Sequence, residues 1–255
     1  MNIIPKVIHY FWFGNNPKPE IVAKCIASWK KYMPDWEIKE WNESNYDVQC
    51  CRYVEQAYKA KKWAFVSDYA RFDILNRIGG LYFDTDVELL KPIPDCYFEN
   101  PFTAVDSNGM VAPGQVIALP KAHWLSENIV NSYRNSVFDA NNLTAEVTIN
   151  TRVNNYLKSN GFIEKDEFQK IADLCIYPSV QFCGFDVTIN EYNITNETIA
   201  VHHFAGSWLG KGYTFKRKIQ KLVKRLIGLE NYKKLLKIKH NLFLSLIHIS
   251  EPTRL

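Results

Sequence analysis

The chain has 255 residues, 47% hydrophobic and 14% aromatic, enough apolar material for one catalytic domain of ordinary size and too much for a disordered chain. The net charge of +4 divides unevenly: residues 211–255 hold twelve Lys and Arg against two acidic residues, and residues 1–210 hold nineteen against twenty-five. That pattern excludes a uniformly basic nucleic-acid binder and describes an acidic body with a basic appendage.

Val7–Phe13 reads as a first strand, broken by Gly14 and Pro17. Ile21, Val22, Cys25, Ile26 and Trp29 give Pro19–Tyr32 a helical period, Trp36–Trp41 alternates like a second strand, and a second helix covers Tyr53–Lys61. Ala64–Ile78 is helical, with Phe65, Tyr69, Phe72 and Leu75 on one face. Gly79-Gly80 ends it, "LYF" forms a short buried strand, and Val87–Leu90 continues extended until Pro92 and Pro94. Alternating helices and strands predict an α/β fold. Residues 98–171 give no ordered pattern.

No run of eighteen apolar residues exists, so no transmembrane helix is expected. The N-terminus lacks the basic stretch and cleavage site of a signal peptide, and none of the six cysteines forms a CxxC pair. Reduced thiols in a cytoplasmic protein are the expectation. Ile219, Leu222, Val223, Leu226 and Ile227 share one helical face with lysines between them, which suits either an anionic membrane surface or packing on the protein's own body. The string Leu244–Arg254, "LSLIHISEPTR", resembles the translation of a transposon-derived sequencing adapter. The expected organisation is therefore a catalytic domain over 1–210, a basic amphipathic segment over 211–243, and read-through over 244–255 in place of the native C-terminus.

Four constellations carry chemistry. Asp84 and Asp86 stand at i and i+2 after a buried strand, where an extended chain points both carboxylates one way. Two like charges that close call for a divalent cation, which would also bridge a diphosphate. Asp68 and Arg71 are three apart on the helix leading into that strand, either an ordinary ion pair or a grip on sugar hydroxyls. His202 and His203, in "VHHFAGSW", could add a nitrogen ligand to the same cation. Trp12, in "FWFG" at the end of the first strand, could stack on a base where open α/β sheets bind ligands, and Trp12 or Phe13 as plain core fits equally well.

The stretches "IPKVIHYFWFG", "SWKKYMPDWEIKEWNE", "AKKWAFVSDYARFDILNRIGGLYFDTDVELLKPI" and "HHFAGSW", in this order, resemble glycosyltransferase family 32. The resemblance implies a GT-A fold, a nucleotide-binding α/β sandwich around a mainly parallel sheet, and a retaining transferase acting on a nucleotide-sugar donor and a saccharide or lipid-linked acceptor. It implies Asp84, Asp86 and His203 as ligands of Mn²⁺ or Mg²⁺, with His202 a close competitor. Asp68, Arg71 and Asp84 would contact the donor sugar, and Trp12, Phe13 and Gly14 the nucleotide. The stretch "TAVDSNGMVAPGQVIALP" departs from the Gly-rich, aromatic pattern of bacterial members, so no acceptor residue and no nucleophile is assigned. A haloacid-dehalogenase-type phosphatase, for which "LYFDTDV" would be the first motif, lacks its later acidic pair here. A non-catalytic sugar-binding protein of the same fold is the other alternative.

Overall fold

The structure is a computed structural model and describes residues 4–140, 148–205, 211–232, 234–236 and 238. The segment 244–255 and the residues Gly206 to Trp208 lie outside the described residues. The elements in chain order are β1 (Val7–Phe11), α1 (Glu20–Tyr32), β2 (Glu37–Trp41), α2 (Arg52–Lys59), α3 (Trp63–Arg77), β3 (Gly80–Tyr82), β4 (Val87–Leu89), β5 (Phe102–Ala104), β6 (Ile117–Leu119), α4 (Trp124–Ser132), α5 (Ile149–Lys158), β7 (Gln169–Ile171), β8 (Leu174–Tyr177), α6 (Ser179–Phe182), β9 (Phe185–Asp186), β10 (Glu191–Tyr192), β11 (Ala200–His202) and α7 (Lys211–Ile227). Every element expected over the first ninety residues is present, with ends shifted by two residues or fewer.

Seven strands form one sheet in the order β2-β1-β3-β6-β5-β8-β7. β1 pairs in parallel with β2 and β3, and β5 with β8, while β6 runs antiparallel between β3 and β5 and β7 antiparallel to β8. The α/β fold expected from the sequence is thus a mixed sheet with flanking helices. Its inner strands β1, β3, β6, β5 and β8 are largely buried, which is why they read as apolar runs, whereas β2 and β7 at the two edges are not. Tyr82, Ile117 and Leu119 point into one core with Phe72, Leu75 and Val153. Leu81, Phe83 and Ala118 point into the other, with Trp29 and Phe182.

Gly79 and Gly80 do more than stop α3. Both have positive φ, +77° and +117°. A Cβ on Gly80 would come within 2.7 Å of the Val7 carbonyl oxygen, so β3 lies against β1 only because that atom is missing. His9 fastens the same turn: its Nε2 lies 2.9 Å from the Gly79 carbonyl oxygen and its Nδ1 accepts from Trp41 Nε1 at 3.1 Å. Burial lowers its pKa to about 4.

The described residues fall into two compact units, those within 1–187 and 192–208 and those within 188–191 and 209–255. Within the second, the Lys224 ammonium donates to the carbonyl oxygens of Ile189 (2.9 Å) and Asn190 (3.1 Å) and pairs with Glu191. No described helix is long and apolar enough to cross a membrane.

Candidate active site

Because β1, β2 and β3 are parallel, their carboxyl ends reach one edge of the sheet. Phe11 is in register with Trp41 and His9 with Tyr82. Trp12 N–H then donates to the Trp41 carbonyl at 2.9 Å and Phe83 N–H to the His9 carbonyl at 3.3 Å. The chain beyond each strand, at Trp12–Asn16, Asn42–Ser44 and Asp84–Asp86, therefore leaves the sheet on the side where such folds bind ligands.

Asp84 and Asp86 do not lie along one extended strand. The Val87 N–H donates to the Asp84 carbonyl at 3.1 Å, closing a turn between β3 and β4. β4 then joins β11 in a separate antiparallel pair. Helix α1 fixes β4 from behind: Trp29 Nε1 donates to the Val87 carbonyl at 2.8 Å and the Leu89 N–H donates to Ser28 Oγ at 2.9 Å. The turn, rather than strand alternation, brings the two carboxylates together.

The register of β11 decides which histidine joins them. His202 stands opposite Val87. Its Nε2 is 3.1 Å from Asp86 Oδ1, and ligand atoms of Asp84, Asp86 and His202 all lie within 4.8 Å of one another. The expected partner, His203, points elsewhere: its Nε2 is 2.9 Å from Glu88 Oε2 and its Nδ1 2.8 Å from the Tyr192 hydroxyl. Adjacent residues at the end of a strand face opposite ways, so only one of the pair can reach the carboxylates. His203 instead contributes its backbone N–H, which donates to the Asp86 carbonyl at 3.0 Å.

The electrostatics of the cluster suit a cation. Burial pushes Asp86 up, but the His202 imidazolium, its hydrogen bond and the Ala205 N–H at 2.8 Å outweigh it and hold the carboxyl down at about 2. Burial pulls His202 down, but the Asp86 carboxylate outweighs it and leaves the imidazole raised above its ordinary value. Its Nδ1 is buried and has no hydrogen-bond partner among the described residues. Two carboxylates and an imidazole whose ligand atoms lie within 4.8 Å of one another fit a divalent ion that accepts mixed oxygen and nitrogen ligation and takes the place of the imidazole's proton.

Arg71 and Asp68 stand beside this cluster on α3. Arg71 is buried, and its Nη2 donates to Asp68 Oδ1 at 2.8 Å while lying 3.3 Å from Asp84 Oδ1. Its guanidinium sits 4.7 Å from the Tyr82 ring centroid, and the Tyr82 hydroxyl donates to Asp84 Oδ1 at 2.5 Å. Burial raises Asp68 to about 6 against the opposing pull of Arg71. The arginine thus ties the α3 carboxylate to the first aspartate of the turn.

Of Trp12, Phe13 and Gly14, two line a cleft and one does not. Trp12, Gly14, Glu43, Tyr58, Lys61 and Trp63 are among the residues lining an open cleft of about 740 Å³. Gly14 N–H donates to Glu43 Oε1 at 2.6 Å. A Cβ on Gly14 would meet the Trp63 indole at 2.6 Å, so the indole lies flush against the backbone. Phe13 faces the other way and is buried, stacked 5.6 Å from Phe11 and edge-on to Tyr46 at 6.0 Å. Phe13 is a core residue here, because alternation that turns residues 12 and 14 outward turns residue 13 in.

The sequence reading missed Gly114. Its carbonyl accepts from the Asp84 N–H at 2.7 Å, and a Cβ there would lie 2.1 Å from Asp84 Oδ2 and 2.9 Å from Arg71 Nη1. The only local signal was a Pro-Gly pair before a buried strand, which marks a turn and nothing more.

Residues 19–104 match the family described as "Glycosyltransferase sugar-binding region containing DXD motif". Inositol phosphoceramide mannosyltransferase 1 of Schizosaccharomyces pombe (strain 972 / ATCC 24843) is 30% identical over 104 residues, covering 36% of this chain. The match spans 31%, about a third, of that relative's length. Among solved structures, the PaToxG glycosyltransferase superposes with a TM-score of 0.45 at 16% identity over 60% of this chain and 69% of that one. A glycosyltransferase involved in the glycosylation of the major capsid of PBCV-1 does so at 0.45 and 14% identity over 78% and 94%. The family match and the yeast relative support a DXD-containing glycosyltransferase, and the resemblance to family 32 is consistent with them.

Proposed function

We propose that this chain, carrying the DXD sugar-binding region of a glycosyltransferase family in residues 19–104, transfers a sugar from a nucleotide-diphospho-sugar to a saccharide or lipid-linked saccharide, in the cytoplasm and in the service of surface polysaccharide synthesis. The observation that carries this reading is the cluster of Asp84, Asp86 and His202 with Arg71 and Asp68 packed beside it. It stands at the sheet edge from which the Trp12 segment also departs.

Asp84, Asp86 and His202 would hold a divalent cation, Mn²⁺ or Mg²⁺, which offsets the charge of the diphosphate as the nucleotide leaves. His203, the ligand implied by the family resemblance, supports the turn through Asp86 and Glu88 instead. Asp68 accepts a hydrogen bond from a donor-sugar hydroxyl. Arg71 donates to the sugar and keeps Asp68 and Asp84 oriented. Trp12 offers its indole face to the base, with Gly14 letting Trp63 complete the wall. Gly114, having no Cβ, leaves room for Asp84 Oδ2 to stand where it does. Retention of the donor's configuration follows from the family resemblance. The alternatives are weaker: a phosphatase would give Asp68 and Arg71 no role, and a non-catalytic binder would have no need of Asp84, Asp86, His202, Asp68 and Arg71 gathered at one place.

The test is a panel of UDP- and GDP-sugars screened for hydrolysis with Mn²⁺, Mg²⁺ or EDTA, a mannosyl donor included because of the name of the yeast relative. Hydrolysis of one donor, abolished by EDTA and restored by Mn²⁺, is the expected outcome. Full activity in EDTA would remove the cation from the mechanism.

A further inference from the structure

We propose that the outward face of α7 docks on an anionic lipid surface. The helix is inside out. Ile219, Leu222 and Leu226 are 46%, 57% and 75% exposed, whereas Lys224 is only 8% exposed. At about 100° per residue, the three apolar side chains fall within roughly 60° of arc, and Lys224 lies about 170° from its middle. Lys224 ties α7 to the 188–191 segment, through the carbonyls of Ile189 and Asn190 and the Glu191 carboxylate. The helix therefore meets the 188–191 segment with a lysine and turns its leucines away from it. An ordinary amphipathic helix does the reverse. The apolar face of α7 is not what meets the 188–191 segment.

Charge selects the occupant. Residues 211–243 contain eleven Lys and Arg and one acidic residue, Glu230. Arg225, exposed, flanks the apolar arc, and Lys221, also exposed, lies further round. Beyond Gly228, Leu229 and Leu235 are exposed as well. A second copy of so basic a face would be repelled, whereas a surface of anionic headgroups over acyl chains satisfies both the cations and the leucines. No described helix is long enough or apolar enough to span a bilayer, so the helix would lie in the interface.

The test is sedimentation of the full chain with phosphatidylcholine vesicles that contain or lack phosphatidylserine, alongside Leu222→Glu/Leu226→Glu. Both leucines face solvent, so the variant should keep the parent melting temperature, which circular dichroism checks. We expect the parent to partition onto anionic vesicles about tenfold or more above neutral ones, the double variant to lose most of that binding, and rising salt to weaken it. Equal sedimentation with both vesicle types overturns the proposal, as does full binding by the variant. A lipid-free dimer that the variant dissociates, without vesicle binding, would give the face to a second copy of the chain. The readout is protein in the pellet, so a chain inactive on every donor still answers it.

Discussion

Helices α3 and α7 depart from the ordinary rule of burial in opposite directions. In α3 an arginine and an aspartate are held among aromatic and aliphatic side chains, with Arg71 buried like Phe72 and Leu75 on the same helix. In α7 leucines stand in solvent and a lysine is tucked in. Burying a charge is costly unless it is paired, so Asp68 and Arg71 persist together with Asp84 as a third partner. Exposing leucines forgoes the main stabilising force of folding, so a helix that does it repeatedly is shaped for something other than its own chain. One inversion marks a site that handles charge, the other a surface that meets an apolar phase.

The largest expected effect separates these two roles. Asp86→Asn keeps the shape of the turn but removes one negative charge from the cluster, and should cut donor hydrolysis by roughly a hundredfold or more. Vesicle binding should be untouched, and a variant that loses both would break the division. Gly114→Ala sharpens it. Gly114 is not among the glycines with positive φ, so alanine is tolerated by the backbone, but its Cβ would displace Asp84 Oδ2. A loss of roughly tenfold to a hundredfold in activity should follow from that misplacement, with a near-parental melting temperature. Unchanged kinetics would mean that Asp84 need not stand where it does.

The α3 pair tests the cost of buried charge directly. Arg71→Met leaves Asp68 without its partner and should destabilise by about 3–5 kcal/mol in urea unfolding. Asp68→Leu/Arg71→Met should recover most of that stability while remaining inactive. A double variant as unstable as the single one would show that the pair holds the fold rather than the substrate.

A smaller effect comes from His9, which closes the turn after α3. In its neutral form it donates through Nε2 to Gly79 and accepts from Trp41 through Nδ1, and a second proton has no place to go. Its pKa is about 4 when folded, against about 6.5 for a free imidazole. A lowered histidine pKa means the unfolded chain binds the proton more readily. The stability is fully present above pH ~6.5 and is lost as pH falls toward ~4, amounting to about 2 kcal/mol between pH ~7.5 and ~5. Urea unfolding of the parent and of His9→Gln at the two pH values measures it: the parent should lose about 2 kcal/mol more than the variant on going from pH ~7.5 to ~5. The smallest expected effect is none: deleting residues 244–255 should leave the melting temperature within about one degree. A clear loss would show that the segment is a natural part of the chain.

The sequence determined what depends on neighbours within a few residues. The 3.6-residue period of Phe65, Tyr69, Phe72 and Leu75 specified α3, and Gly79-Gly80 marked its end, because only glycine accepts those backbone angles without a clash. The buried strand running into Asp84 and Asp86 was legible for the same reason, as was the lysine-rich amphipathic period of α7. Tertiary structure alone decided how distant segments meet. His202 rather than His203 reaches the carboxylates because β11 pairs with β4 in one register out of two, across more than a hundred residues, and a one-residue slip exchanges the faces. Phe13 turned inward because Phe11 and Tyr46 make a core on that side. Gly114 arrived over Asp84 through the antiparallel insertion of β6 beside β3, and Lys224 was drawn inward by carbonyls of a segment more than thirty residues before it. Local patterns fix which faces exist on each element; the closure of long loops fixes which faces touch, and no short window of sequence carries that free energy.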